Sequence, residues 1–239
     1  MERGSTMLAT TSQLINQFLS KPPPFNLFTE LAPVALVADA AEVIAVSSKI
    51  PADTLAEFAR AAQADAAGFN YGSPGAGSVP HLGGEVLARA MKTKMIHVPF
   101  RGSADAAKEV AAGNIQLTLA TQATVAPFVE SNLVKIIAVA APRRLRTLPH
   151  VPTTAEAGFP GIELSNWFGI MAPHATSAQL ISLINQSFNK ALAQPDIESA
   201  LLRQGIEGVR QTPEQFASRL QHDAQTYKRM LDDFGLTPK

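Results

Sequence analysis

From Gly68 to Ala141 the chain alternates strand-like and helix-like stretches, and that order allows few folds. Gly68–Tyr71, Met95–Pro99, Ile115–Ala120 and Val134–Ala141 read as strands. Pro80–Lys94, Ala104–Ala112 and Ala123–Ser131 between them read as helices. Val134–Ala141 is continuously apolar, as expected when both faces of a sheet are covered. Strands and helices in turn predict an α/β sheet with mostly parallel pairing. Upstream, Pro33–Val46 reads as one long strand or two joined strands, and Thr6–Thr10 as a shorter one. Asp53–Ala67 reads as a helix, with capping-box spacing at Thr54 and Glu57.

The remainder is a proline-marked connection, Arg143–Phe159, followed by a mostly helical third. Thr153 and Glu156 repeat the capping-box spacing, with Gly158 as the stop. Leu164–Ala172 is strand-like and carries Trp167, the single tryptophan. Ser177 caps a helix with Leu180, Ile184, Phe188 and Leu192 four apart. Asp196–Gln204 reads as a short helix and Ile206–Arg210 as a short strand. The last helix opens at Thr212-Pro-Glu-Gln215 and carries the stripe Phe216, Leu220, Tyr227, Leu231 and Phe234.

Charge and cysteine content narrow the function. Lys plus Arg and Asp plus Glu are each 20, so the chain lacks the basic excess of a nucleic-acid binder or a polybasic membrane-surface protein. There are no cysteines, which excludes disulfides, thiolate metal sites and a cysteine nucleophile. The five histidines, His81, His97, His150, His174 and His222, show no H-x-x-x-H pair, so neither a metal nor another cofactor is expected. Residues Met1–Thr6 lack the pattern of a signal peptide, and no apolar run reaches the length of a membrane span.

Candidate chemistry sits at strand-to-helix junctions. The sharpest is Gly72-Ser-Pro-Gly-Ala-Gly-Ser78, followed by His81. Glycines let backbone N–H groups approach a ligand, and a helix N-terminus favours negative charge. Ser73 and Ser78 add hydroxyls. The same residues also fit an ordinary turn with Ser78 as the cap. Neither a P-loop nor a dinucleotide fingerprint is present, because no Lys-Ser/Thr pair follows and the glycines are wrongly spaced. Arg101-Gly102-Ser103 forms a second junction, where Ser103 caps a helix or Arg101 meets an anion, and Ala120-Thr121-Gln122 a third. In an open α/β sheet such junctions share the edge where ligands bind. A Ser78 hydrolase is a thin alternative: no G-x-S-x-G elbow exists, and His81 falls on the helix.

The sequence resembles the Bug family, the extracytoplasmic solute receptors of tripartite tricarboxylate transporters. The motifs that carry the resemblance run in order along nearly the whole chain. They are Leu31-Ala-Pro-Val-Ala-Leu-Val-Ala38, Tyr71-Gly-Ser-Pro-Gly-Ala-Gly-Ser78 with His81-Leu82, and Val98-Pro-Phe-Arg-Gly102. Further along come Leu148-Pro-His-Val-Pro-Thr-Thr-Ala-Glu-Ala-Gly158, Trp167-Phe-Gly-Ile-Met-Ala-Pro173 and Thr212-Pro-Glu-Gln-Phe216.

The resemblance implies a two-lobed periplasmic-binding-protein fold, the Venus flytrap, whose cleft closes on a ligand. Lobe one would be Met1–Ala41 plus Leu164–Lys239, and lobe two Glu42–Glu163. The implied ligand contacts are Ser73, Gly75, Gly77, Ser78, His81, Gly102, Ala104 and Thr121 in lobe two, with Thr11 and Ser12 in lobe one. The implied partners are a small carboxylate and the membrane permease subunits of a secondary transporter, in the periplasm. Family members usually begin with a further strand–loop–helix–strand block before the segment like Thr6–Ser12, so lobe one is expected to be incomplete. Where many relatives carry Asp or Asn, this chain has Ala120, which favours a plain carboxylate over an amino acid. A sensory binding protein and a truncated remnant with weak or no binding are the competing expectations.

Overall fold

The computed structural model describes residues 6–20, 22–23, 25–65 and 68–236. The signal-peptide reading of Met1–Thr6 (apart from Thr6), the helix end at Ala66–Ala67 and the tail to Lys239 fall outside them. The chain forms two compact units. Unit one is Met1–Ala40 with Asn166–Lys239, and unit two is the contiguous Ala41–Ser165. One 17-residue strand, β2 (Leu31–Ser47), supplies its first part to unit one and its last part to unit two.

In unit one, β1 (Met7–Thr10) pairs antiparallel with β7 (Ser165–Pro173), which lies beside β2. The two-residue β8 (Glu207–Gly208) pairs antiparallel with β2 through Ala38 and Asp39. Helices α1 (Thr11–Leu19), α6 (Ala178–Leu192), α7 (Pro195–Arg203) and α8 (Pro213–Asp233) complete the unit. Its core holds Leu14, Ile15, Leu36, Trp167 and Phe216, all fully buried. Trp167 and Phe216 meet edge to face at 5.6 Å. Gly169 makes room for that ring: a Cβ there would stand 2.2 Å from Phe216. A ring of this size contributes about 1.5–3 kcal/mol on burial.

The apolar stripe of α8 forms as read, with Phe216, Leu220, Tyr227 and Leu231 buried and Phe234 half-buried. The capping box at its start is present: Thr212 N–H donates to Gln215 Oε1, and Gln215 N–H donates to Thr212 Oγ1. On α6 the stripe differs from the reading. Leu180 is exposed, and the inward face centres on the buried Asn185. Its amide donates to the carbonyls of Val34 and Gln211 at 2.8 Å each, so a polar residue holds the inward position by satisfying two carbonyls.

In unit two the sheet contains β3 (Phe69–Ser73), β4 (Met95–Pro99), β5 (Leu117–Thr121), β6 (Val134–Val139) and the end of β2. β3 pairs parallel with both β4 and β5. β2 pairs antiparallel with both β5 and β6. The expectation of mostly parallel pairing is therefore corrected to a mixed sheet. The β5–helix–β6 connection returns the chain parallel to itself, as the alternation suggested, but β2 lies between those two strands and runs against them.

The helices of unit two are α2 (Leu55–Ala64), α3 (Val79–Ala90), α4 (Ser103–Ala112) and α5 (Gln122–Glu130). α3 stops four residues before the expected Lys94, because Lys92 takes a left-handed φ of 54°. At the Thr54 cap, Asp53 and Thr54 N–H groups donate to Glu57 Oε2, holding that carboxyl below its ordinary pKa. The second capping box makes its two reciprocal bonds, Thr153 N–H to Glu156 Oε2 and Glu156 N–H to Thr153 Oγ1. No helix follows from it, only a turn. Gly158 at φ 93° and Pro160 two residues later stop propagation before a second turn.

Candidate functional site

β5, β3 and β4 lie side by side and parallel, so their C-terminal ends share one sheet edge. All three junctions singled out in the sequence lie there. The glycine-rich one joins β3 to α3. Gly75 and Gly77 take φ of 124° and 78°, conformations that other residues adopt only with strain. Ser78 is the N-cap of α3: its Oγ accepts the His81 N–H at 3.3 Å and donates to the Gly75 carbonyl at 2.8 Å. Ser73 is fully buried, and its Oγ accepts the Gly75 N–H at 3.0 Å. The Gly77 N–H donates to His81 Nδ1 at 3.1 Å. The amides of Gly75 and Gly77 are thus engaged within the loop. Ala76 is the exposed residue at its tip.

Neighbouring elements brace this loop. Phe100 N–H donates to the Ser73 carbonyl, and Thr118 Oγ1 to the Gly72 carbonyl. Gly72 itself permits close packing, since a Cβ there would lie 2.6 Å from Ile115 and 2.9 Å from Ala106.

The second junction places Gly102 as the N-cap of α4, with an extended φ of −171°. Ser103 is therefore the first helical residue and not the cap, a correction to the reading above. Ala104 is exposed in the first turn of α4 and Arg101 is exposed beside it. Arg101 and Lys108 line an open depression of about 510 Å³ with Asp105, Glu109, Pro99 and Phe100. Two cations face two anions there, so the depression offers a carboxylate no net attraction. At the third junction Thr121 is the N-cap of α5, and its hydroxyl bonds that of Thr124 at 3.0 Å.

In unit one, Thr11 is fully buried and its Oγ1 accepts the Trp167 N–H at 2.9 Å. Ser12, next to it in the first turn of α1, is half-buried.

Two clusters escaped the sequence. The first lies behind the glycine-rich loop. The β3–β4 register sets Tyr71 beside His97, and α3 brings His81 against both. The imidazole centroids of His81 and His97 are 4.2 Å apart. His97 Nε2 lies 2.6 Å from Ser73 Oγ. Tyr71 donates its hydroxyl to Glu85 Oε1 at 2.5 Å. Burial and that carboxylate raise the phenol above its ordinary value, while burial lowers both imidazoles. Gly84 makes the arrangement possible, since a Cβ on it would stand 2.1 Å from the Tyr71 ring.

The second cluster is charged and belongs to unit one. Arg219 Nε donates to both oxygens of Asp223, at 2.9 and 2.8 Å, and Arg219 also reaches Asp39 at 3.4 Å. Trp167 Nε1–H donates to Asp223 Oδ2 at 3.0 Å. Burial raises the Asp223 carboxyl, which Arg219 opposes. The signal was the gap between Leu220 and Tyr227 in the α8 stripe, and Asp223 fills it.

Among the described residues of these clusters, no Ser–His pair is set for nucleophilic catalysis. His81 Nδ1 faces the Gly77 amide rather than the Ser78 hydroxyl, and Ser73, which does meet an imidazole, is fully buried.

Residues 4–236 match the family model described as the tripartite tricarboxylate transporter family receptor. A Pseudomonas sp. (strain P51) protein encoded in the tcbD–tcbE intergenic region is 28% identical over 98% of this chain and 70% of its own length. An R. palustris protein solved with adipate superposes with a TM-score of 0.87 at 23% identity, over 98% of this chain and 79% of that one. MatC from Rhodopseudomonas palustris, solved with bound malate, gives a TM-score of 0.81 at 24% identity, over 95% and 78%. The fold is that of the periplasmic solute-binding proteins, and the chain belongs to the tripartite tricarboxylate transporter receptor family.

Proposed function

We propose that this receptor-family chain captures a small organic carboxylate and delivers it to the membrane subunits of a tripartite-type transporter, in the periplasm. The carrying observation is the shared sheet edge of unit two, where three adjacent strand-to-helix junctions gather hydroxyls and helix N-termini. Helix N-termini and neutral donors favour an anion without a buried cation. In this reading the seat is Ser73, Gly75, Gly77, Ser78 and His81, joined by Gly102, Ala104 and Thr121. Since the Gly75 and Gly77 amides and the Ser73 hydroxyl are engaged within the loop, these three shape the seat, and the ligand meets the loop's outer face. Thr11 and Ser12 are proposed as a second set of contacts, with Ser12 the more accessible. Adipate and malate, bound by the two structural neighbours, are both dicarboxylates and define the first ligands to try.

Thermal unfolding with adipate, malate, citrate, benzoate and a set of amino acids tests this. A carboxylate at a hundred times its Kd adds about 2.7 kcal/mol and raises Tm. A shift with amino acids alone, or with none of these compounds, sinks the reading.

A further inference from the structure

His81 is bound into the glycine-rich loop by a contact that depends on its charge. A neutral imidazole has one donor nitrogen and one acceptor nitrogen. His81 Nδ1 accepts the Gly77 N–H, so its own proton sits on Nε2. An imidazolium carries N–H on both nitrogens and would turn a donor toward the Gly77 donor. His97 differs. Its Nε2 meets the Ser73 hydroxyl, which can accept as well as donate, so a protonated His97 still fits its partner.

We infer that His81 is a positioning residue whose neutral imidazole holds the Gly77 amide, and that its protonation releases this amide and reshapes the glycine-rich loop. The loop has few other anchors at that point: the Gly75 amide is tied to Ser73 and the Ser78 amide to the Gly75 carbonyl, so Gly77 depends on His81. Three titratable groups face the ring. His97 stands against it from β4, and Tyr71 from β3 with its ring centroid 6.4 Å away. Glu85, one turn along α3, favours the protonated form. β5, also packed on α3, carries no titratable side chain. Burial opposes the charge more than Glu85 favours it, which sets the transition below the ordinary histidine range.

The inference rests on the proposed ligand seat only for its effect on affinity; the loop change itself is read without ligand. The test is a pH titration of the ligand-free full chain from pH 8 to pH 5 by amide and imidazole NMR. The Gly77 amide resonance is expected to follow the His81 titration curve, with its hydrogen-exchange protection falling by up to about tenfold per unit as pH drops toward that midpoint and levelling off below it. His81→Asn places Oδ1 where Nδ1 stands and does not titrate; its Gly77 amide stays flat over the same range. His97→Gln keeps the pH response of Gly77. A Gly77 amide that stays still while His81 titrates overturns the inference, as does an equal response in His81→Asn or a lost response in His97→Gln. If adipate binds, its affinity falls with the same midpoint in the wild type and stays level in His81→Asn. Absence of adipate binding at every pH counts against adipate as the ligand and leaves the amide titration to decide the inference.

Discussion

Both units hide a polar cluster beneath an element that carries candidate ligand contacts, but they build it with opposite chemistry. Unit two uses imidazoles, hydroxyls and backbone amides, with a single carboxylate, Glu85, at its margin. Unit one uses full charges, with Arg219 between Asp223 and Asp39 and the Trp167 indole closing the network. The neutral cluster responds to pH below the ordinary histidine range, because burial disfavours charge on both imidazoles. The charged cluster has the opposite pH sense, because burial raises the Asp223 carboxyl, and deleting a partner takes one ion pair from a half-buried charge.

The largest expected effect is therefore Asp223→Ala. It leaves Arg219 with Asp39 but without its two bonds to Asp223, and the Trp167 indole N–H without its acceptor, so a loss of about 2–4 kcal/mol is expected in denaturant unfolding followed by Trp167 emission. A loss under about 1 kcal/mol, the range of a surface pair, would show that solvent already compensates Arg219 and would erase the contrast.

Gly84→Ala comes next. The added methyl meets the Tyr71 ring at 2.1 Å, and overpacking of this kind costs about 1–3 kcal/mol. Exchange of the β3 and α3 amides should report it, while Trp167 emission in the folded state stays unchanged. A neutral substitution would mean that the Tyr71 ring is not confined by α3.

The smallest effect sharpens the comparison most. Both imidazoles of unit two sit below the unfolded histidine value of about 6.5. Their contribution is complete above that pH and is lost as pH falls through the folded values. Asp223 has the opposite sign, since burial raises its carboxyl and protonation as pH falls relieves the burial of its charge. As pH falls below the unfolded histidine value, amide protection relative to the intrinsic exchange rate should fall in α3 and β3 and should not fall in α8. An equal loss of protection in both would deny the division.

Local features were legible in the sequence. The capping boxes at Thr54 and Thr212, the β3–α3 glycines and the α8 stripe depend on residues a few positions apart, so spacing reveals them. Thr153 and Glu156 show the limit, since their local bonds form but Gly158 and Pro160 prevent a helix. The histidine pair depends on the β3–β4 register, which no local pattern specifies. The mixed sheet depends on β2 slotting between β5 and β6 from a distant part of the chain. Asn185 and Asp223 were hidden for another reason: nothing in the spacing marks a polar residue as inward-facing, and here they meet carbonyls, an indole and a guanidinium.

The contiguity of unit two carries a consequence for biosynthesis. Every residue of Ala41–Ser165 precedes Trp167, so this half can fold as soon as its own residues are delivered, without waiting for the rest of the chain. The other half cannot. Thr11 waits for a partner 156 positions downstream, and Trp167 waits a further 56 for Asp223. During that interval the early strand and helix have their apolar sides uncovered, and a chaperone would find its substrate there.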